Sequence, residues 1–232
     1  QFGIGLIRAG AQKSMSGRGM VEAGAGMVIT VNPGEVHDGL PIDEAGRRWT
    51  MLYFDPEALQ EIVGGLERMD GAFEFHHPVV DNGDLARRFA RLYAAMVDTT
   101  EGMPAAEEAA LLLADWLVPS KRREAEPGPS RIAPAQSRID DAPADAISLS
   151  DLAGICGLGR FQFLRGFTRA TGLTPHAYML QRRVDRARRL VMQGVPLAEA
   201  AAESGFFDQS HMTRHFVRVL GATPGAYAAA RR

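Results

Sequence analysis

Residues 205–227 read GFFDQSHMTRHFVRVLGATPGAY, and residues 157–178 read GLGRFQFLRGFTRATGLTPHAY. Both stretches contain a glycine turn, an Arg-x-Phe triplet and a Gly-x-Thr-Pro sequence in the same order. Positions before the turn are offset by 48 residues and positions after it by 49, because one residue is inserted in the second turn. The chain therefore contains an internal repeat, and this repeat is the strongest indication of its fold.

Each repeat predicts a short helix, a glycine-containing turn and a longer helix, which is the helix-turn-helix layout. The phenylalanine of Arg-x-Phe is expected in the core, and the arginine on another face. Pro175–Gln193 predicts a rigid helix that joins the two units. Two recognition helices held in this way would enter successive major grooves about 34 Å apart. The alternative is a helix bundle without a ligand, which would not require matching turns and triplets in both halves.

The 232-residue chain has a formal net charge of only −2, but the charge is distributed unevenly. Residues 1–130 carry a net charge of −8 and residues 131–232 a net charge of +6, and every cation of the second part is arginine. This asymmetry indicates a nucleic-acid-binding module, since arginine suits bidentate contacts with phosphate and guanine. On charge alone, a solvated basic face explains the pattern equally well.

Residues 182–227 resemble the signature of the AraC/XylS family of transcription regulators, and the resemblance extends over about residues 138–232. The first unit departs from the family pattern at Gly159, where a capping serine is frequent. It also departs at Gly166, which is expected to weaken its helix by up to about 1 kcal/mol. The resemblance implies two domains: an N-terminal cupin-like β-barrel followed by helices, truncated at its start, and a C-terminal all-α double helix-turn-helix domain.

The resemblance also implies which side chains contact DNA. Base contacts are expected from the exposed face of each recognition helix, namely from Arg160, Phe161, Gln162, Leu164 and Arg165, and from Gln209, Ser210, His211, Thr213 and Arg214. Arginine pairs with guanine, glutamine with adenine, and apolar groups with the thymine methyl. Arg169 and Arg218 are expected to contact phosphates.

Some of these residues have a structural alternative. For Arg165 and Arg214 the alternative is a bridge between helices through a carboxylate. His211 would serve equally as a solvated polar residue. Phe163 matches Met212 in the repeat and is assigned to the core.

The N-terminal part predicts a domain at 1–118, followed by a linker at 119–136 and the DNA-binding domain at 137–232. Short apolar stretches at Gly3–Ile7, Met27–Val31 and Trp49–Phe54 are typical of strands. Apolar spacing predicts helices at about 56–69, 84–97 and 104–117. The last two expose apolar stripes for dimerisation or for packing against the strands. The chain begins with Gln1 and directly with strand-like residues, so a truncated start is expected.

Residues 26–37 resemble the second half of a cupin motif and make Glu35 and His37 candidate effector ligands. Two such residues are too few for a metal site, so no metal and no cofactor are predicted. A role of His37 in stabilising a turn is the preferred alternative. His76 and His77 precede Pro78 and are expected to be solvated in a loop.

The sequence predicts a sequence-specific DNA-binding regulator that responds to a small molecule, and not an enzyme. A constitutive DNA binder without an effector, or a cupin metalloenzyme with an appended DNA-binding module, are the alternatives. Expected partners are double-stranded DNA, read in its major groove, and an unidentified effector. A homodimer and a contact with RNA polymerase are compatible with this function, and no membrane partner is expected. No apolar run reaches the roughly 18 residues of a membrane span, and the single Cys156 favours the reducing cytoplasm.

Overall fold

The structure is a computed structural model that describes residues 1–16, 19–35, 38–59, 73–97, 102–117 and 127–229. The chain divides into two compact units, Gln1–Arg122 and Arg123–Arg232. The first unit contains a curled antiparallel sheet with helices, and the second is helical. Within the described ranges, no helix is both long and apolar enough to span a bilayer.

The sheet of the first unit is organised around one long strand, β1. Its strands are β1 (Phe2–Ser16), β2 (Gly19–Gly24), β3 (Val28–Val31), β4 (Leu40–Pro41), β5 (Arg47–Phe54) and β6 (Val79–Val80). The first half of β1 pairs with β3 and β5, and its second half pairs with β2 and β4, all antiparallel. A break in register between Ile7 and Ala9 separates the two halves. One strand thus serves both parts of the curled sheet, and the predicted strands at its start, at β3 and at β5 are confirmed.

Two helices, α1 (Gly83–Val97) and α2 (Gly102–Leu117), follow the strands in the first unit. The Asn82 side chain caps α1 by accepting from two backbone N–H groups, and Arg88 joins the helices by donating to the Leu112 carbonyl at 2.8 Å. The helices bury their apolar stripes: Leu85 and Phe89 are both 0% exposed. Leu92 and Leu113 lie with Ile4 and Phe54 of the sheet around one small void. Of the two roles considered for these stripes, the described residues therefore show packing against the sheet.

The sequence-based helices of this unit are confirmed where the structure describes them. The observed α1 and α2 begin one and two residues before the predicted 84–97 and 104–117. Residues 56–59 are helical, and the remainder of the predicted helix at 56–69 lies outside the described residues.

The second unit contains seven helices among its described residues. They are α3 (Pro129–Asp141), α4 (Leu149–Ile155), α5 (Arg160–Thr171), α6 (Pro175–Met192), α7 (Leu197–Glu203), α8 (Gln209–Leu220) and α9 (Pro224–Ala229). Helices α4 and α7 start 48 residues apart, and α5 and α8 start 49 residues apart. The repeat read from the sequence is thus a repeat of helix-turn-helix units, with α6 between them.

The predicted linker at 119–136 is wrong for its second part, where α3 begins at Pro129. Proline is favoured at the first position of a helix because its N–H would have no partner there. Ile132, Ala135 and Ile139 then follow at helical spacing and are each at most 1% exposed. The proline content suggested a linker, but the apolar spacing determines the structure, and the helical domain begins at α3 and not at residue 137.

Gly166 of α5 has a packing role that its low helix propensity concealed. A Cβ atom at this position would lie 2.5 Å from Cγ of Pro127 and 3.0 Å from Cδ1 of Ile132. The absence of a side chain therefore allows α5 to approach the start of α3.

The turn of the second helix-turn-helix unit packs against the loop between α3 and α4. Gly205 has φ +80°, and a Cβ atom there would lie 2.6 Å from the Ala144 carbonyl oxygen. Arg183 of α6 holds this loop by donating to the carbonyls of Pro143 at 2.7 Å and Asp145 at 3.1 Å. Burial lowers the pKa of the Arg183 guanidinium. The corresponding Gly157 has φ +62° and an open surrounding, because a Cβ atom there would lie 4.0 Å from Nη2 of Arg131 as its nearest neighbour.

Gly205→Ala is predicted to lower the free energy of unfolding of the compact unit Arg123–Arg232 more than Gly157→Ala does. Both variants place a side chain in the left-handed region, at a cost of about 1–3 kcal/mol. Only Gly205→Ala adds a clash with rigid backbone, which costs a further 1–3 kcal/mol or so. Urea unfolding followed by helical circular dichroism measures the difference. Both tryptophans, Trp49 and Trp116, lie in the compact unit Gln1–Arg122. The midpoint of the unfolding transition that their fluorescence reports should therefore not change. Equal losses in the two variants would contradict the close approach to Ala144.

Candidate functional site

The two helix-turn-helix units are completed by the same local interactions. Gly172 and Gly221 end their recognition helices in the left-handed conformation, with φ +76° and +74°. Thr174 and Thr223 then cap the next helix, each hydroxyl accepting from a backbone N–H at 3.3 Å. In each unit a tyrosine packs edge-on against the phenylalanine of Arg-x-Phe; the pairs are Phe167–Tyr178 at 5.4 Å and Phe216–Tyr227 at 5.6 Å. These contacts fix the direction in which each recognition helix leaves its turn.

The tyrosine hydroxyl groups distinguish the two units. Tyr178 donates to Asp140 at 2.9 Å and accepts from Gln136 at 3.1 Å, which ties the first unit to α3. The Tyr227 hydroxyl accepts from Arg188 of α6 at 3.4 Å, and this hydrogen bond raises the pKa of Arg188. The central helix α6 is therefore anchored on one side to α3 and on the other to α9.

The starts of the recognition helices α5 and α8 also differ. Asp208 caps α8 by accepting from the His211 backbone N–H at 2.6 Å. At the equivalent position Gly159 begins α5 without a side-chain cap, as the sequence indicated. Helix α4 in turn begins with a capping box between Ser148 and Asp151, and the Ser148 hydrogen bonds lower the pKa of Asp151.

The recognition helices present a polar face to solvent. Gln209, Ser210, Arg214 and Arg218 of α8 are exposed, and Thr213 is half-buried. On α5, Arg169 is exposed, while Arg160, Gln162 and Arg165 are half-buried. Both helices thus carry arginine and glutamine side chains outside the core, and these are the groups that read guanine and adenine edges.

Two expected base contacts are wrong because the residues belong to the core. Phe161 is 5% exposed and Leu164 is 1% exposed, so neither side chain can reach a base edge from its packed position. Phe163 is fully buried, and so is its counterpart Met212, as expected for the core. Phe161, Phe163 and Leu164 of α5 therefore all face the core. Only the polar residues of this helix remain as candidates for contacts with bases.

The structure also bears on the alternatives for His211 and Arg214. His211 is half-buried, with its ring 5.4 Å from Phe206 and 4.7 Å from His215, so packing contacts hold it against the turn. Arg214 is exposed and makes no ion pair with another described residue, which removes the carboxylate bridge considered for it.

The Cys156 side chain is buried, and this burial raises the pKa of its thiol, as in an unreactive packing residue.

Asp208→Ala is predicted to lower the free energy of unfolding of the compact unit Arg123–Arg232 by about 1 kcal/mol, because the first turn of α8 loses its cap. Asp208→Asn retains the acceptor oxygen and should keep most of this stability. Urea unfolding followed by circular dichroism distinguishes the two variants. Equal loss in both would show that the charge of Asp208, and not its capping bond, stabilises the helix.

A cavity of about 230 Å³ lies on the concave face of the sheet in the first unit. Alternate residues of β5 line it, namely Arg47, Trp49, Met51 and Tyr53, since side chains of one strand point to opposite faces in turn. On β1, a Cβ atom at Gly5 would fall within 2.3 Å of the Met51 sulfur, and one at Gly3 within 2.8 Å of its methyl group. The two glycines therefore give Met51 the space in which it lies beneath the cavity.

The polar groups of this cavity are unequally satisfied. Gln12 is 4% exposed; its Nε2 donates to Ser14 at 2.8 Å, and its Oε1 has no hydrogen-bond partner among the described residues. The Arg47 guanidinium stacks over the Trp49 ring at 4.0 Å. The Asp38 carboxylate already accepts from the Met15 backbone N–H at 2.7 Å. A bound molecule would thus find an acceptor at Gln12 and a cation at Arg47.

Of the two predicted effector ligands, Glu35 lines the cavity and His37 lies outside the described residues. Glu35 also accepts from the backbone and side chain of Asn32, so it closes a turn. His76 and His77 are exposed, as expected. Within the described ranges no three His, Cys, Asp or Glu side chains are grouped so that they could hold a metal ion. Gln12 and Arg47 were missed, although the alternation along 47–53 could have indicated the face to which Arg47 belongs.

Comparison with protein families gives two matches. Residues 1–114 match the AraC-like ligand binding domain, and residues 152–230 match a helix-turn-helix domain. Similar curated proteins include the uncharacterized HTH-type transcriptional regulator YbfI of Bacillus subtilis, 39% identical over 74 residues, and the transcriptional activator NphR of Rhodococcus sp, 34% identical over 82 residues. These segments cover 32% and 35% of this chain and only 27% and 24% of the two relatives.

Among solved structures, similarity is found to an AraC-type regulator from Chromobacterium violaceum, with 26% identity and a TM-score of 0.42, covering 44% of this chain and 92% of that one. The DNA-binding domain of AdpA, solved in complex with a target DNA, has 29% identity and a TM-score of 0.42, covering 46% of this chain and 95% of that one.

A curled-sheet ligand-binding domain followed by a duplicated helix-turn-helix unit defines a two-domain transcriptional regulator. The chain belongs to the AraC family of transcriptional regulators.

Proposed function

We propose that the protein is a sequence-specific transcription regulator that reads DNA with α5 and α8 and binds a small effector in the cavity of its curled sheet. The observation that supports this most is the duplicated unit, because the second helix of each copy carries arginine and glutamine side chains that lie outside the core. An enzyme or a structural bundle would have no need for this face twice. The protein is not an enzyme in this proposal, and it acts in the cytoplasm, where its DNA is.

Base readout is assigned to the polar face of each recognition helix. In α5 this face consists of Arg160, Gln162 and Arg165, and in α8 of Gln209, Ser210, Thr213 and Arg214, with His211 at its edge. Arg169 and Arg218, one helical turn onward, contact phosphates. Because α6 is held to α3 by the Tyr178 hydroxyl group and to α9 by the Tyr227 hydroxyl group, the two recognition helices are presented as one rigid reading surface.

The effector is assigned to the cavity lined by Gln12, Arg47 and Trp49. It would carry a hydrogen-bond donor for the Gln12 carbonyl oxygen, an acceptor for Arg47 and an apolar part against Trp49 and Met51. Its binding shifts the population of states in which the DNA-binding unit meets DNA. The constitutive binder is less favoured because a buried acceptor without a partner is costly unless a ligand or water satisfies it. A homodimer and a contact with RNA polymerase complete the proposal.

Arg214→Ala is predicted to weaken binding to a specific operator by about 5- to 150-fold, since a bidentate base contact is worth about 1–3 kcal/mol. The operator is selected from random DNA with the full chain, and affinity is measured by fluorescence anisotropy. Binding to random DNA should change little. Arg218→Ala should instead weaken both kinds of binding alike and reduce the slope of log K against log salt by about 0.9. If Arg214→Ala reduced specific and random binding equally, base readout by Arg214 would be refuted.

A ligand found by thermal-shift screening of sugars, amino acids and carboxylic acids is predicted to lose about 10- to 150-fold in affinity on Arg47→Met, because a charged hydrogen bond contributes about 1.5–3 kcal/mol. Gln12→Leu should also weaken it. Arg48→Met is the matched control, because Arg48 is exposed and does not line the cavity. Trp49 fluorescence provides the titration signal. A ligand that binds all variants equally would place the effector elsewhere.

A further inference from the structure

Phe207 is the most exposed of the large hydrophobic residues that the structure describes, at 93%. It directly precedes Asp208, the N-cap of α8. Apolar side chains of this size usually contribute to burial, which stabilises by roughly 1.5–3 kcal/mol. At Phe207 this contribution is not realised within the protein.

The repeat shows that the fold does not need this residue. Leu158 corresponds to Phe206 at an offset of 48, and the N-cap Gly159 corresponds to the N-cap Asp208 at an offset of 49. Phe207 is therefore the single inserted residue of the second unit. The first unit makes the same turn and the same recognition helix without it.

The inward position at the start of α8 is already filled by another residue. Phe206 is 5% exposed and its ring contacts His211 at 5.4 Å and His215 at 6.1 Å. A hydrophobic residue directly before an N-cap commonly packs against the fourth residue of the helix. That residue, Met212, is 0% exposed, whereas Phe207 points to solvent, so no such contact forms.

The position of Phe207 continues the proposed reading face. It lies next to the exposed Gln209 and Ser210, at the N-terminal end of α8, and the N-terminal residues of a recognition helix are those that meet base edges in the major groove. The apolar group that the major groove offers is the C5-methyl of thymine. An inserted, solvent-facing phenyl ring at this end of the helix fits that group.

We propose that Phe207 is a specificity-determining residue that packs against a thymine methyl in the half-site read by α8. The inference rests on the proposed DNA-binding function. It gives the second unit a base preference that the first unit lacks, because the first unit has no residue at this position. The two half-sites of an operator are then read by different rules, although the two units share one fold.

A double-mutant cycle tests the proposal. Wild-type full chain and Phe207→Ala are titrated against the selected operator and against versions in which one thymine at a time is replaced by deoxyuridine, which removes only the methyl group. One replacement in the α8 half-site should weaken wild-type binding about fourfold, as expected for one buried methyl group. The Phe207→Ala variant should bind both versions equally. Phe207→Leu should retain part of the preference for thymine. Met96→Ala, which truncates an exposed apolar residue of the N-terminal compact unit, should retain all of it.

The outcomes separate this inference from the function on which it rests. If random DNA yields no preferred sequence, the proposed function fails, and the inference with it. If Arg214→Ala loses specific binding but Phe207→Ala keeps the full penalty at every thymine, only the inference is overturned. It is also overturned if the selected half-site contains no preferred thymine, or if Phe207→Ala binds DNA normally but loses activation with RNA polymerase, which would assign Phe207 to a protein contact.

Discussion

The relation between the two helix-turn-helix units depends on the contact between the second turn and the loop that joins α3 to α4. Gly205 approaches the Ala144 carbonyl so closely that any side chain would clash, and Arg183 holds the same loop through two carbonyl groups. Because α4 of the first unit follows this loop directly, the contact links the start of one unit to the turn of the other. Helix α6 provides the second link, and two links prevent rotation where one would allow it.

The repeat also shows which parts of a helix-turn-helix unit are required and which can change. The left-handed glycine after each recognition helix, the Thr-Pro cap and the Phe–Tyr contact occur in both copies with nearly equal geometry. The N-cap and the partners of the tyrosine hydroxyl differ. The shared features build the angle between helices, and the differing ones connect each copy to its own neighbours. Functional differences between the copies should therefore be sought at the second kind of position.

Much of this architecture could be predicted from the sequence because its determinants are local. Glycines at fixed offsets, Thr-Pro steps and the Ser148–Asp151 capping box each specify a helix boundary without reference to the rest of the chain. The linker prediction fails at α3 because four prolines in 119–136 obscure the helical spacing, whereas Ile132 and Ile139 are buried where α3 packs against the helices that follow it. Phe161 and Leu164 were misplaced because a family pattern gives positions on a helix, and burial depends on which neighbours surround it. The cavity at Gln12 and Arg47 arises from strands distant in sequence, and no local pattern indicates that they meet.

Gly3 and Gly5 of β1 lie beneath Met51 and have no direct part in the lining of the cavity. A methyl group added at Gly3 would push the flexible Met51 side chain toward the cavity and make it smaller, whereas one at Gly5 would also meet the Thr50 carbonyl oxygen at 2.9 Å. If this cavity holds the proposed effector, its selectivity can change through substitutions beneath Met51, while the residues that line the cavity stay the same. Paralogues with identical cavity linings would then accept molecules of different size, because they differ in the residues that lie beneath the lining.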